Sequence, residues 1–164
     1  GSMIRTGGID VGGLESGSYS VFVVPVSSLA APVDQRPLRE YSSELAVIKG
    51  TASEKQVQNG RHFIAFTGNS KTVVEWKISV GLASMYELHF KFQNNTGKPV
   101  FAEMIIESSG GIEIQRDMVN FKNDGEKWQT VRTMTETSIN AGDYKVRLSV
   151  SNAKDLLMQK LEVR

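Results

Sequence analysis

Strict alternation of apolar and polar residues is the feature that most constrains how this chain can fold. In TVVEWKISV, which begins at Thr72, the residues Val74, Trp76, Ile78 and Val80 occupy every second position, and mostly polar residues lie between them. The same pattern recurs in MYELHFKF and in DYKVRLSV. Because successive side chains of a β-strand point to opposite faces of the sheet, each segment predicts a strand with one buried and one hydrated face.

Half-hydrated strands are typical of antiparallel sheets, whereas strands of parallel sheets read as continuous apolar runs. Clusters rich in Gly, Asn and Pro separate the alternating segments and predict chain reversals: TGNS, GLAS, NNTGKP, SSGG, NDGE and NAGD. The pattern therefore predicts an all-β fold, an antiparallel two-sheet β-sandwich with a shared core. The segment SELAVIKG fits a helical turn or an edge strand, and we expect a strand.

Trp128 differs from the aromatic residues of the alternating strands. Alternation assigns five of these to the buried faces: Trp76, Tyr86, Phe90, Phe92 and Tyr144. Trp128 differs, because its alternation partners Thr130 and Arg132 are polar. The pattern therefore places Trp128 away from the deep core, at a rim or an interface.

The first 34 residues have a different character. The opening Gly-Ser-Met is typical of a cloning scar, and the following sequence predicts a β-hairpin with strands at Ile9–Val11 and Tyr19–Val26. Pro32 and Pro37 then stiffen a linker. We expect residues 1–34 to be the tail of a preceding domain or a segment that packs on the sandwich, and residues 35–164 to form the sandwich itself.

Composition excludes several classes of function. The net charge is +1, and no cluster of Lys and Arg offers a surface for nucleic acid. Cysteine is absent, which removes disulfides, thiol nucleophiles and Cys-based metal sites. No apolar run approaches the length of about 18 residues that a membrane span needs. We therefore expect no nucleic-acid partner and no membrane insertion.

Catalytic motifs are also missing from the sequence. The two histidines, His62 and His89, have no zinc-type spacing, and no serine elbow or phosphate-binding glycine loop occurs. Several glutamates could supply the paired carboxylates of a glycosidase, but they fit alternating outer-face positions: Glu75, Glu87, Glu103 and Glu107. We interpret them as solvating charges, and we predict that the chain is not itself an enzyme.

From Glu40 onward, the order of features resembles carbohydrate-binding modules of the family 6 and 35 type. The segments that carry the resemblance are YSSELAVIKG, NGRHFIAFTGNSKTVVEWKISVGLASMYELHFKF, GEKWQTVRTMTETSINAGDYKVRLSV and DLLMQKLEV. Such modules are galactose-binding-like β-sandwiches of jelly-roll topology. The resemblance implies a non-catalytic accessory region of an exported bacterial glycoside hydrolase, of the family 2 β-galactosidase kind, in the periplasm or at the cell surface.

The resemblance also implies a sugar site formed by loops at one end of the sandwich. Aromatic rings suit this task because they stack on the C–H faces of sugars, while polar side chains bond the hydroxyl groups. The matching positions are Trp128 and Asn152, with Asp155 and Lys154 close by and with Arg61 and His62 able to reach the same rim.

Modules of this type often hold a structural calcium ion, but the matching positions here are poor ligands. The first-strand match offers Ser42 and Glu44, and Gln159 stands where an Asp is expected in the closing strand. Because calcium prefers several carboxylates, we predict a weak or absent calcium site at Glu44 and no other cofactor.

Two functions are the main alternatives, and the third is an independent enzyme, which needs a polar pocket with perturbed carboxylates. A carbohydrate-binding module predicts a glycan ligand and an exposed Trp128 in a cleft. A structural module that docks a neighbouring catalytic domain of the same chain predicts a buried Trp128, no cleft and an exposed apolar patch.

Overall fold

The computed structural model describes residues 39–164, and the predicted hairpin and linker of residues 1–34 lie outside these residues. The described part contains eleven strands, and one short 3-10 turn interrupts them at Ser43–Leu45. The strands are β1 (Arg39–Ser42), β2 (Val47–Lys49), β3 (Ser53–Gln58), β4 (Arg61–Phe66), β5 (Thr72–Val80), β6 (Glu87–Asn94), β7 (Val100–Ser108), β8 (Glu113–Phe121), β9 (Gln129–Met134), β10 (Gly142–Val150) and β11 (Leu156–Val163).

The strands form two sheets, and every pairing between them is antiparallel. The first sheet has the order β3-β4-β11-β6-β9, and β1 also pairs with β11. The second sheet has the order β2-β5-β10-β7-β8. Strands that are neighbours in a sheet are mostly not consecutive in the chain, so the chain crosses repeatedly between the two sheets.

The inner faces of both sheets bury one continuous core. Trp76, Phe90, Phe92 and Phe121 are its largest aromatic members, and none is more than 1% exposed. Their rings pack in tilted or edge-to-face pairs, the closest being Phe92 and Phe121 with centroids 4.9 Å apart. The indole N–H of Trp76 donates to the carbonyl of Ser42 at 3.1 Å, so the one polar atom of this ring is satisfied.

The structure confirms the predicted all-β sandwich and the three alternating strands, which become β5, β6 and β10. Two local details differ from the expectations. SELAVIKG forms both a 3-10 turn and a strand, because its second half pairs with β5 while Glu44 and Leu45 remain exposed. Tyr144 lies at the edge of the core rather than within it, and its hydroxyl donates to the carbonyl of Asn140 at 2.7 Å.

One end of the sandwich gathers four loops, at residues 67–71, 95–99, 122–128 and 151–155. The four loops directly precede β5, β7, β9 and β11, in that order. The antiparallel pairings of these strands bring their starts to the same end of the sandwich. None of the described residues forms a helix that could cross a membrane.

Candidate functional site

A cleft of about 370 Å³ opens on the outer face of the first sheet, the face turned away from the core. It extends across the sheet from β3 to the start of β9. The residues that line it are Gln58, Asn59, Arg61, Phe63, Gln93, Trp128 and Leu157. Strands β11 and β6 lie between β4 and β9 in the sheet. Side chains from β4 and from the start of β9 therefore contact each other above β11 and β6.

Trp128 stands at one side of this cleft, immediately before β9. The preceding loop is held by a bond from the amide of Lys127 to the carbonyl of Gly125 at 3.0 Å and by the Gln129 side chain, which donates to the Lys122 carbonyl at 3.5 Å. Gly125 has a φ of 98°, a conformation that side-chain-bearing residues rarely adopt. Trp128 is half-buried and lies on the outer face, as its polar alternation partners predict.

Arg61 reaches Trp128 from the opposite side of the cleft. It follows a two-residue turn, Asn59-Gly60, in which both residues have positive φ, 53° and 75°. Such Asn-Gly turns join antiparallel strands tightly, and this one makes Gln58 and Arg61 register partners at the hairpin end. The guanidinium carbon of Arg61 lies 5.2 Å from the centroid of the Trp128 ring, a cation–π contact.

Phe63 forms the base of the site, and sequence reasoning missed it. Its ring lies 6.1 Å from that of Trp128, with the planes tilted by 59°, and it is only 4% exposed although it does not belong to the core between the sheets. It shares the outer face of β4 with Arg61, whereas Ile64 and Phe66 point into the core. The apolar run FIAF carries the signal: a strand that is apolar at successive positions is covered on both faces.

Polar groups complete the lining. Gln58 is exposed at the end of β3, and Gln93 lies beside Leu157 on neighbouring strands. Each amide offers two donors and an acceptor, and Arg61 adds a fixed fork of donors. The site thus combines a part-exposed indole, apolar support from Phe63 and Leu157, and directional hydrogen-bonding groups.

The structure separates His62 from this arrangement. His62 points to the other face of β4, and its Nδ1 lies 2.8 Å from a carboxylate oxygen of Glu44. Both side chains are well exposed, so this is a surface ion pair when the histidine is protonated. Arg61 and His62 are adjacent in sequence, and the alternation of side chains along β4 sends them to opposite faces.

Asn152 and Asp155 also lie outside the cleft lining, in the loop between β10 and β11. Both have positive φ, 55° and 79°, and both are exposed. Their main-chain amides donate to the carbonyls of Asn69 and Phe66, at 2.9 and 2.8 Å, and the amide of Lys154 donates to the Asn69 side chain at 3.2 Å. The loop therefore packs against the loop between β4 and β5 at the same end of the sandwich.

The residues at the expected calcium position do not fit a strong calcium site. Glu44 is the single carboxylate of the matching set, and His62 engages it. The ammonium of Lys55 donates to the main-chain carbonyl of Glu44 at 2.8 Å, so a positive group already lies beside this residue. The buried side-chain oxygen of Gln159 has no hydrogen-bond partner. Among residues 39–164, no three His, Asp or Glu side chains form a metal-type group.

The four glutamates with a conceivable catalytic role are all held in ion pairs. Glu75 and Glu107 bond Arg147 at 2.9 and 2.8 Å, Glu103 bonds Arg116 at 2.6 Å, and Glu87 bonds His89 at 2.8 Å. The hydrogen bond from His89 is the main cause that lowers the pKa of Glu87. A general acid needs a raised pKa near neutrality, and the pKa values of Glu75 and Glu87 are shifted in the opposite direction.

The likeness of this chain to known proteins lies in its structure and not in its sequence. No protein-family model and no curated protein sequence matches the chain. Solved structures do match: a family 35 carbohydrate-binding module from Clostridium thermocellum is 16% identical, with a TM-score of 0.63, and the match covers 77% of this chain and 97% of the module.

Two further structures extend this likeness. The carbohydrate-binding module CBM6cm-2 of Cellvibrio mixtus lichenase 5A, solved with cellotriose, is 13% identical with a TM-score of 0.55; the match covers 77% of this chain and 95% of the module. Isomalto-dextranase from Arthrobacter globiformis T6, solved with panose, is 14% identical with a TM-score of 0.64; the match covers 77% of this chain but 23% of the enzyme chain. The fold of this chain is therefore the β-sandwich of family 35 and family 6 carbohydrate-binding modules.

Proposed function

We propose that the chain is a non-catalytic carbohydrate-binding module and that the cleft beside Trp128 is its glycan site. The observation that carries this proposal is the position of Trp128: an indole on the outer face of the sheet, half-exposed in a cleft, rather than packed in the core. The fold shared with solved carbohydrate-binding modules supports the same assignment.

The chemistry of the lining suits a neutral sugar ring. The exposed surface of the indole offers a platform for the C–H face of the ring. Phe63 packs against the indole, and Leu157 adds an apolar side chain to the lining. Arg61, Gln58 and Gln93 can donate to hydroxyl groups around the ring. Because Arg61 already covers part of the indole, the sugar stacks on the remaining surface and takes hydrogen bonds from the guanidinium at its edge.

The wider setting of this proposal is an exported bacterial glycoside hydrolase in which the chain is an accessory region. The match to isomalto-dextranase supports such an arrangement, because there the same fold accounts for 23% of a longer enzyme chain. A neighbouring catalytic domain of the same chain is then the second partner, beside the glycan, and the periplasm or cell surface is the compartment.

A docking module without a sugar ligand is the second candidate, and one observation favours it. Strand β8 is a nine-residue edge strand, and exposed apolar side chains lie on it and on β7: Phe101, Ile114 and Met118. Edge strands with such side chains pair readily with other chains. The half-exposed Trp128 favours the carbohydrate-binding module, because docking through β7 and β8 of the second sheet needs no cleft on the first sheet.

Affinity electrophoresis against neutral galactan, mannan, xylan and β-glucan separates the two candidates. We expect at least one polysaccharide to retard the protein, and Trp128→Ala to lower that affinity about tenfold or more, because the stacking platform is lost. Trp128→Phe keeps an aromatic platform and should retain part of the affinity. Phe101→Ala, which removes an exposed aromatic ring from the second sheet, is the matched control.

Thermal unfolding of each variant shows whether its fold is intact. Retardation of Trp128→Ala equal to that of the original protein contradicts the glycan site. No retardation by any polysaccharide, together with self-association or domain association that Phe101→Ala abolishes, establishes the docking module instead.

A further inference from the structure

The turn between β3 and β4 consists of Asn59 and Gly60 and forms one corner of the proposed glycan cleft. Asn59 and Arg61 line this cleft together, and both also line a second depression of about 390 Å³. Asparagine occurs eight times in the chain, and only Asn59 is followed by a glycine. The site therefore contains the one dipeptide of the chain that is best suited to deamidation.

Deamidation of an Asn-Gly sequence needs no enzyme. The main-chain nitrogen of the glycine attacks the side-chain amide carbon of the asparagine, and the new N–C bond closes a succinimide ring as ammonia leaves. Water then opens the ring at one or the other carbonyl carbon, which gives aspartate or isoaspartate without any oxidant or reductant. A side chain on the following residue hinders the attack, and glycine has none.

The structure leaves both reacting groups accessible. Asn59 and Gly60 are exposed, and apart from the chain neighbours no heavy atom lies within 4 Å of the place that a Cβ on Gly60 would occupy. Within residues 39–164, neither the side-chain amide of Asn59 nor the main-chain amide of Gly60 has a hydrogen-bond partner. Attack requires the tight turn to open briefly, and opening at the exposed end of an edge hairpin breaks few contacts.

Other asparagines are held more firmly and serve as internal controls. The main-chain amide of Asn152 donates to the Asn69 carbonyl at 2.9 Å, and the side chain of Asn69 accepts from the amide of Lys154 at 3.2 Å. Asn94 is fully buried, and its side-chain nitrogen donates to the carbonyl of Phe121 at 2.8 Å. Sequence and structure thus single out the same residue, Asn59.

We propose that Asn59 is a modification site and that its deamidation withdraws Arg61 from Trp128. Aspartate at position 59 sets a carboxylate beside the guanidinium of Arg61, and a charge-assisted hydrogen bond is stronger than an exposed cation–π contact. Isoaspartate instead adds one carbon to the main chain of the turn, which disturbs the pairing of Gln58 with Arg61. In both products the contact between Arg61 and the indole is lost. Only the resulting effect on glycan binding rests on the proposed function.

Incubation of the folded protein tests the chemical step. Samples kept at mildly alkaline pH, below the unfolding temperature, are digested in acid and analysed by mass spectrometry with electron-transfer fragmentation, which distinguishes aspartate from isoaspartate. We expect the peptide with Asn59 to gain the mass difference between an amide and an acid several-fold faster than peptides with Asn69, Asn140 or Asn152. Incubation at mildly acidic pH should slow this gain, because the attacking nitrogen must lose its proton.

Two variants separate the reaction from its consequence. Asn59→Gly removes the amide and keeps a Gly-Gly turn that accepts positive φ, so incubation should leave it unchanged. Asn59→Asp carries one product from the start. The indole N–H resonance of Trp128, assigned by its loss in Trp128→Phe, should move in Asn59→Asp towards its position in Arg61→Met. Incubated original protein should develop shifted indole signals in proportion to its modified fraction.

Three results overturn the proposal. The first is no mass gain at Asn59 in the folded protein under conditions in which the urea-unfolded protein gains it. The second is an equal rate of gain at Asn69, Asn140 and Asn152. The third is an indole resonance that stays at its original position in both Asn59→Asp and the incubated protein.

Glycan binding provides a further readout of the same proposal. If a polysaccharide retards the original protein, complete modification should lower that affinity about tenfold, because the hydrogen-bond donors of Arg61 are withdrawn. Unchanged affinity after complete modification would count against the proposal. If no polysaccharide retards the original protein, the proposed function fails, whereas the mass gain and the indole resonance still decide whether Asn59 is modified and whether Arg61 leaves Trp128.

Discussion

The guanidinium of Arg61 lies over the indole of Trp128, with its carbon 5.2 Å from the ring centroid. The two residues come from β4 and from the start of β9, strands that are separated in the first sheet by β11 and β6. Their contact therefore bridges the outer face of the sheet. It also means that any sugar stacked on Trp128 has a fixed cation at its edge.

Arg61→Met should lower glycan affinity more than it lowers stability. The change removes a cation–π contact worth about 0.5–1 kcal/mol at an exposed site, so the free energy of unfolding in urea should fall by no more than that. Affinity should fall about tenfold, because donors to the sugar hydroxyls are lost as well. Arg132→Met, on the same outer face of β9, is the control. Equal affinity losses in both variants would show that only the general charge of the face matters.

Phe63→Ala should destabilise the protein by about 3 kcal/mol, because the ring is almost fully buried although it lies outside the main core. It should also release Trp128, whose fluorescence emission should move to longer wavelength. Phe101→Ala, at an exposed phenylalanine, should leave both the stability and the emission nearly unchanged. An unchanged emission in Phe63→Ala would show that Phe63 does not support the indole.

Alternation predicted the sandwich well, because the inner faces of β5, β6 and β10 obey one simple rule: every second residue enters the core. The same rule placed Trp128 on the outer face through Thr130 and Arg132. It fails for Phe63, because the outer face of β4 is itself covered by Trp128 and Arg61. The apolar run FIAF signals that this face is covered, but the residue that covers it belongs to a loop distant in sequence, which no local pattern on β4 identifies.

The candidate site could be predicted only in part for a similar reason. Arg61 and Trp128 meet because the strand order of the first sheet places β4 and β9 on the two sides of one face. The alternation pattern predicts individual strands but does not predict their order in a sheet. The sequence places Arg61 and His62 together in the loop between Gly60 and the strand, yet both lie on β4, and adjacent strand residues point in opposite directions. Asn152 and Asp155 were placed by resemblance, and their backbone bonds hold them beside Asn69 and Phe66 instead of in the cleft.

Glu75→Gln should make the protein less stable at neutral pH, with a cost that shrinks in acid. Burial raises the pKa of Glu75, but hydrogen bonds from Arg147 and Lys49 outweigh it, so the pKa lies below the ordinary 4.5. A carboxyl group whose pKa is depressed on folding stabilises the protein above its unfolded pKa, and this contribution is lost as pH falls through the folded pKa. The variant should lose about 2 kcal/mol at pH 7.

Urea unfolding of both proteins at several pH values between neutrality and acid measures this difference. The curves should converge only below the lowered pKa of Glu75 in the folded protein, because its carboxyl group is then protonated and resembles Gln. Glu126→Gln, at an exposed loop position, provides the baseline for removing a charge without an ion pair. A difference between Glu75→Gln and the original protein that stays constant over the whole pH range would argue against the ion pair as its source.

Calcium should not raise the melting temperature of the protein, and a chelator should not lower it. The reason is chemical: Glu44 is paired with His62, Lys55 bonds its main-chain carbonyl, and Gln159 supplies a neutral oxygen where calcium prefers a carboxylate. The double change His62→Ala and Gln159→Asp frees Glu44 and adds a second carboxylate. This variant should be less stable than the original protein in chelator and should regain stability with calcium, by about 2.7 kcal/mol when calcium reaches 100 times its dissociation constant. Scanning calorimetry with and without calcium measures the melting temperature of both proteins. If calcium raises the melting temperature of the unmodified protein, Glu44 and its neighbours bind the ion despite the positive groups around them.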